Sequence, residues 1–353
     1  LLNDISLTLQ QTVQDALANS MPLQIQGGNS KAFLGYPASG AILAMQQHRG
    51  VVNYHPSELI ITARAGTALQ EIAEILAEQH QMLAFDPPGF GASATLGGTI
   101  ACGLSGSRRP FTGAARDFVL GCKMINGRGE ILVFGGEVMK NVAGYDISRL
   151  MVGAMGTLGV LLEISLKVLP RPGLEVTRIL EMTMPEALQK MTDLGLQCLP
   201  LSGLSYDGAK LFVRFSGVAK AVHAAAKKLG GETCVTGAQY WLDLQEQRLA
   251  FFKSTQNLWR LSVAPAVPQL ALPGACYYDW GGALRWLKTD VPSAMIFTQM
   301  QQVNGSAMLF RSRDPAETRF QPLETPLQKL NLQVKQAFDP VGIFNPGRKF
   351  EVW

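Results

Sequence analysis

The sequence predicts an α+β protein of two domains, and three observations predict it. Helix-like and strand-like patterns alternate from the N-terminus to about residue 170, with no long run of either alone. Glycine is dense in that stretch: Gly89, Gly91, Gly97, Gly98, Gly103 and Gly106 crowd together, and Gly153, Gly156 and Gly159 lead into an apolar strand read as alternating. After Arg171-Pro172-Gly173 the texture changes to a β-α-β-β-α-β order, which fits a ferredoxin-like unit.

Composition narrows the class. With 353 residues, 47% hydrophobic and 16% charged, the chain has material for a sizeable core and is not disordered. Thirty-one basic against 27 acidic residues leave a net charge of +4, too mild for a nucleic-acid binder. The five cysteines are scattered, with no C-x-x-C, which fits reduced thiols rather than a disulfide framework or a metal site. No long apolar run predicts a membrane span, and the acid-bearing, base-poor N-terminus predicts no signal peptide. A cytoplasmic protein is expected.

In chain order, residues 4–18 place Ile5, Leu9, Val13, Ala16 and Leu17 on one helical face. Leu23–Gln26 is a short strand that runs into Gly27-Gly28-Asn29-Ser30-Lys31, either a cradle of N–H groups for a phosphate or ordinary turn chemistry. Strands are expected at 51–54 and 59–66, then a helix to about Gln79 with Thr67 as its N-cap. Gly89-Phe90-Gly91-Ala92-Ser93-Ala94 matches the Rossmann pattern G-x-G-x-x-A. However, Pro87-Pro88 stands where the preceding strand should end, and no acid lies at the usual spacing, so that fold is rejected. Arg108-Arg109 reads as a solvated loop rather than a phosphate or partner contact. Residues 118–125 and 131–134 flank an Asn126-Gly127 hairpin turn, Lys140–Asp146 leads into a short helix over 147–152, and a strand ends at Pro170. In the second half, strands are expected near 176–182, 201–206, 210–215, 258–263 and 275–280, and helices near 185–195, 218–229 and 239–250.

Four pieces, in this order, carry a family resemblance: Ile25–Ser30, Ala94–Ala101, Gly153–Val160, and Asp339-Pro340-Val341-Gly342-Ile343-Phe344-Asn345-Pro346-Gly347-Arg348. The chain resembles the vanillyl-alcohol-oxidase, or PCMH-type, FAD-binding flavoproteins. Within their D-lactate and glycolate dehydrogenase branch, Gln24–Gly35, Arg108–Gly121, Gly135–Val168 and Trp280–Lys288 make it similar to the shorter FAD-binding subunits of glycolate oxidase. The resemblance implies an FAD-binding domain over 1–172, a cap domain over 173–332 and a return to the FAD domain over 333–353. It implies that Gly27, Gly28, Asn29 and Ser30, with Thr95, Leu96, Gly97 and Gly98, bracket the FAD diphosphate through backbone N–H groups, and that Gln26 and Ala101 also bind the cofactor. Gly156, Thr157, Gly159 and Val160 would line the other side, and Asn345 would hydrogen-bond near the flavin ring. Some members attach FAD through a His in the first loop or a Cys in the second. Here the first loop has no His, and Ala101-Cys102-Gly103 departs from the linking pattern, so non-covalent FAD is expected, with Cys102 a small buried residue.

Catalytic members of the branch carry His-rich motifs in the cap for a metal and for the 2-hydroxy acid. This chain has His48, His55, His80 and His223 and none beyond. His48 and His55 are expected to be exposed, and no general base and no metal site are assigned. Asp279-Trp280-Gly281-Gly282 and Arg285-Trp286 read equally as buried tryptophans at a turn or as an electron-transfer or subunit contact. The resemblance therefore implies a subunit that oxidises glycolate to glyoxylate only beside a homologous catalytic FAD subunit and an iron–sulfur subunit, with peripheral attachment to the inner face of the cell membrane through partners. The alternatives are an autonomous FAD-dependent 2-hydroxy-acid dehydrogenase and a structural or regulatory flavin-fold subunit without turnover.

Overall fold

The structure is a computed structural model that describes residues 4–136, 146–314 and 316–349. The lead-in expected at Lys140–Tyr145 lies outside the described residues. The chain divides into two compact units, one of Leu1–Ser105, Gly113–Pro170 and Leu323–Trp353, the other of Gly106–Thr112 and Arg171–Pro322. The sequence expectation instead cuts the chain at 172 and 332 and leaves Gly106–Thr112 in the first domain. That segment joins the second unit for a physical reason. Arg108 is buried and paired with Glu175, and the Arg109 guanidinium lies 4.3 Å from the Trp280 ring centre. The Arg108-Arg109 pair is thus not a solvated loop.

In the first unit, α1 (Ser6–Ala18) buries Leu9, Val13 and Ala16 at helical spacing. It is followed by β1 (Leu23–Gln26), β2 (Ala41–Ala44), β3 (Val51–His55), β4 (Ile60–Arg64), α2 (Leu69–Glu78), β5 (Gln81–Met82) and α3 (Leu96–Cys102). Then come β6 (Val119–Ile125), β7 (Ile131–Gly135), β8 (Val160–Lys167) and β9 (Leu169–Pro170). The architecture has two parts. β1 and β2 pair in parallel, and a separate antiparallel sheet runs β3-β4-β8-β6-β7. Val160-Leu161-Leu162 and Ile164-Ser165-Leu166 are buried without a break, because β8 lies between two strands and is covered on both faces. This is why its sequence is a near-continuous apolar run rather than the alternation expected.

Thr67 does not cap α2. Ala68 holds that position, and the buried Thr67 hydroxyl donates to Arg64 O (2.7 Å) and accepts from Gly50 N–H (2.9 Å), tying the end of β4 to the preceding turn. The stretch Thr95–Gly98, expected as a loop, is the N-cap and first turn of α3, with the Thr95 side chain accepting from Gly98 N–H.

The second unit contains β10 (Leu174–Glu181), α4 (Met184–Gly195), β11 (Leu201–Tyr206), β12 (Lys210–Gly217), α5 (Ala219–Leu229) and β13 (Glu232–Thr233). It continues with α6 (Gly237–Gln245), β14 (Leu258–Ser262), β15 (Ala275–Asp279), β16 (Leu284–Lys288), α7 (Ser293–Gln302) and β17 (Ser306–Arg311). One eight-stranded sheet runs β13-β10-β12-β11-β15-β16-β14-β17. The first four strands have the order of a ferredoxin-like unit. The last four repeat that order from the opposite edge, β17-β14-β16-β15, with a loop in place of the first helix. The halves meet where Tyr206 pairs with Tyr278. The expected ferredoxin-like unit is thus present twice. A final helix, α8 (Thr325–Phe338), belongs to the first unit. Among the described residues no helix is long and apolar enough to cross a membrane.

Candidate functional site

The first unit holds a cleft of about 930 Å³, open mouth included, within the range of ligand and cofactor sites. Its floor starts from β1. As β1 ends, Gly27, Gly28, Asn29 and Ser30 turn along the cleft, with Asn29 at φ +58°. Among the described residues, no protein acceptor takes the N–H of any of these four. Successive N–H groups in such a turn form a concavity that suits an anion. A side chain at Gly28 is impossible without rearrangement, since its Cβ would lie 1.4 Å from Ser93 O, and a Cβ on Gly27 would lie 2.3 Å from Thr95 Oγ1. The Ser93 hydroxyl donates to Gly28 O (2.7 Å) and holds the turn.

The start of α3 forms a second wall but offers fewer donors than the sequence suggests. Leu96 N–H donates to Thr67 O (2.9 Å), Gly97 N–H to Ala65 O (2.7 Å), and Gly98 N–H to Thr95 Oγ1 (3.3 Å). Gly97 serves packing, because its Cβ would lie 2.7 Å from Ala65 Cβ. Of these two walls, the first loop therefore brings more unengaged backbone donors to the cleft.

Among the described residues, two cations and no carboxylate line the space. The Lys31 ammonium donates to Gly89 O (3.2 Å), and Arg348 donates to the carbonyls of Tyr36 (2.9 Å) and Ala32 (3.1 Å). Cys102 faces the cleft half-buried, not enclosed as expected; burial pushes its thiol pKa up while Lys31 and Arg348 pull it down. Ile25, Leu34, Met45, Met155 and Leu161 supply apolar wall.

Of the residues named from the sequence, the structure brings Gln26–Ser30, Thr95, Gly97, Gly98, Ala101, Gly156, Gly159 and Asn345 to this one cleft. Leu96 and Val160 point into the core instead. Thr157 is fully buried, its hydroxyl donating to Ala154 O (2.6 Å). Asn345 lines the cleft, but both ends of its amide are engaged: Oδ1 accepts from Ile25 N–H (2.8 Å) and Nδ2 donates to Met155 O (2.7 Å). It clamps two walls together. Met45, Ala65 and Leu161 were missed because they reach the cleft from strands or strand ends that carry no motif of their own.

The histidines do not approach an acid–base site. His48 is fully buried rather than exposed: Nδ1 accepts from Ile5 N–H (3.3 Å), its carbonyl accepts from Gly66 N–H (2.8 Å), and burial lowers its pKa. His55, His80 and His223 are exposed. Among the described residues no cluster of His, Cys, Asp and Glu could hold a metal.

Comparison with known proteins gives this geometry a context. The profile of an FAD binding domain matches residues 7–135. The glycolate oxidase subunit GlcE of Escherichia coli is 48% identical over 347 residues, covering 98% of each chain. The chain belongs to the GlcE family of glycolate oxidase subunits. The glycolate oxidase subunit GlcD of Bacillus subtilis is 31% identical over 137 residues, 38% of this chain and 29% of that one. Among solved structures, alkyldihydroxyacetonephosphate synthase superposes with a TM-score of 0.67 at 16% identity, covering 96% of this chain and 74% of that one, which shows the shared PCMH-type fold. The family is one of flavoprotein oxidoreductases, and the cleft fits FAD. Unengaged N–H groups and two cations suit a diphosphate, and the apolar walls suit flat rings.

Proposed function

We propose that this chain is the FAD-binding subunit of a complex that oxidises glycolate to glyoxylate, and that it holds FAD without a covalent bond. The observation that carries the reading is the cleft of the first unit, where the N–H groups of Gly27–Ser30 stand beside Lys31 and Arg348 with no carboxylate among the described lining residues. Gly27–Ser30 would hold the diphosphate, with Lys31 and Arg348 offsetting its charge. Ile25, Met155 and Leu161 would exclude water from the ring system. When bound, FAD supplies an acceptor for the hydride of the substrate carbon. Cys102 lines the cleft, but burial favours its protonated thiol, which is the form least suited to attack.

The reaction also needs a group to take the substrate hydroxyl proton. His48 is buried within its own packing, and the remaining histidines are exposed, so no imidazole in this chain is placed for that task. This favours dependence on a second, homologous flavin subunit that supplies the base, and on an iron–sulfur subunit that carries electrons away. In this reading the protein is cytoplasmic, held at the inner face of the membrane through those partners.

The test is the visible spectrum of the purified chain, followed by anaerobic glycolate. Flavin absorbance that is released by acid precipitation and not bleached by glycolate supports the reading. Bleaching by the isolated chain would mean that it is an autonomous dehydrogenase. Absence of flavin after reconstitution would leave a structural subunit.

A further inference from the structure

The tail of the first unit contains a buried ion pair that the cofactor cleft does not itself require. Lys335, near the end of α8, and Asp339, one turn further on, are 5% and 2% exposed. The Lys335 ammonium donates to Asp339 Oδ2 (2.6 Å), Thr157 O (2.7 Å) and Phe344 O (3.2 Å), so each of its three hydrogens has an acceptor. The Asp339 carboxylate accepts from the backbone N–H groups of Gly342 (3.1 Å), Ile343 (3.1 Å) and Phe344 (2.9 Å). One pair thus fixes three consecutive amides on the tail and one carbonyl in the segment after Gly156.

The next residues carry that order to the cleft. Leu23 N–H donates to Ile343 O (2.7 Å) and Asn345 N–H to Leu23 O (2.9 Å), so the tail joins β1 through a single parallel bridge at Phe344. Asn345 then bridges Ile25 and Met155, and Gly156 packs so closely that a Cβ there would lie 2.6 Å from Asn345 Nδ2. Burial lowers the Lys335 pKa and Asp339 opposes that, as expected where neither charge tolerates loss of the other.

We propose that Lys335 and Asp339 are positioning residues for the cofactor: they hold the Asn345 bridge between β1 and the Met155–Gly156 turn, and so set how tightly FAD is retained. Neither side chain lines the cleft; both act through Asn345. The inference rests on the FAD reading above.

Three variants of the full chain, K335M, D339N and N345A, test it, with FAD titrated back into apo-protein and amide hydrogen exchange read residue by residue. K335M is expected to weaken FAD binding by at least ~10-fold, the scale of losses seen when supporting contacts around a bound group are removed. It should also speed exchange at Ile25 N–H while Leu162 and Ile164 in β8 stay protected. N345A on top of K335M should add less than N345A alone, because both changes break one connection. N345A removes the bridge without leaving a buried charge, so it reports even if K335M and D339N do not fold. The proposal is overturned if folded K335M binds FAD within about twofold of the parent with unchanged exchange at Ile25, or if N345A alone binds FAD within about twofold of the parent. If the parent itself binds no FAD, the FAD reading fails and the Ile25 exchange decides the positioning claim alone.

Discussion

The cofactor cleft of the first unit and the core around Trp280 in the second treat polar groups in opposite ways. The first leaves the amides of Gly27–Ser30 without protein acceptors and keeps Lys31 and Arg348 at the edge of a cleft. In the second, polar groups close on one another. Arg285, 1% exposed, donates to the carbonyls of Gly282 (3.1 Å), Pro268 (2.7 Å) and Val267. Trp280 Nε1–H is taken by Gly106 O (2.9 Å), and Ser205, Tyr240 and Tyr277 join hydroxyl to hydroxyl at 2.6 and 2.5 Å. A region built to receive a ligand leaves donors unengaged; a region built as scaffold pairs its own. By that criterion the Trp280 indole N–H and the Arg285 guanidinium are engaged within their own unit.

The contrast can be broken from either side. The largest effect is expected from Gly28→Ala: the added Cβ meets Ser93 O, and FAD affinity in a titration should fall by ~100-fold or more as the turn opens. Next is Arg285→Met, which strips three buried carbonyls of their donor. It should destabilise the second unit by about 3 kcal/mol in chemical denaturation while the folded protein binds FAD as before. Weakened FAD binding there would end the division of labour. Lys31→Met should cost about 10-fold in FAD affinity, about 1.4 kcal/mol, with a smaller salt dependence than the parent.

The smallest effect concerns the foot of α1. Hydrogen bonds from the Ser6 side chain and backbone, with Arg64 and His48 nearby, lower the Asp4 pKa from 3.8 to about 2. A depressed carboxylate stabilises the fold above its unfolded value. That contribution should fade as pH falls from about 4 through about 2. Because Asp4 is part-exposed, Asp4→Asn should cost no more than about 1 kcal/mol at pH 7 and nothing at pH 1–2 by thermal melting.

What the sequence shows of the cleft is what short stretches can encode. Gly27–Ser30 and the Asp339–Arg348 motif are local, and a glycine that cannot bear a Cβ is visible as a glycine. What stayed hidden depends on partners far along the chain. The amides of Leu96 and Gly97 are taken by carbonyls of Thr67 and Ala65, near the end of β4, so a helix start that reads as a phosphate site is largely closed. Leu96, Thr157 and Val160 sit inside motifs yet face away, because motif adjacency says nothing about which side of the backbone looks into a space. His48 reads as polar and exposed beside a turn, but the turn packs under α1 through Ile5. In the second unit the strand-helix order was legible. Its repetition was not, because the second copy replaces a helix with a proline-bearing loop and so loses the periodic signal.

The Asn345–Ile25 hydrogen bond spans 320 residues of sequence. At a synthesis rate of roughly 5–20 residues per second, a growing chain waits on the order of half a minute between making one partner and the other. Through that interval β1 lacks its outer neighbour, and the apolar wall at Ile25 faces the surroundings uncovered. On the proposed FAD reading the cleft is complete only once the tail has emerged, and a chain that stops before Asp339 lacks both the Asn345 bridge and the Arg348 cation of that cleft.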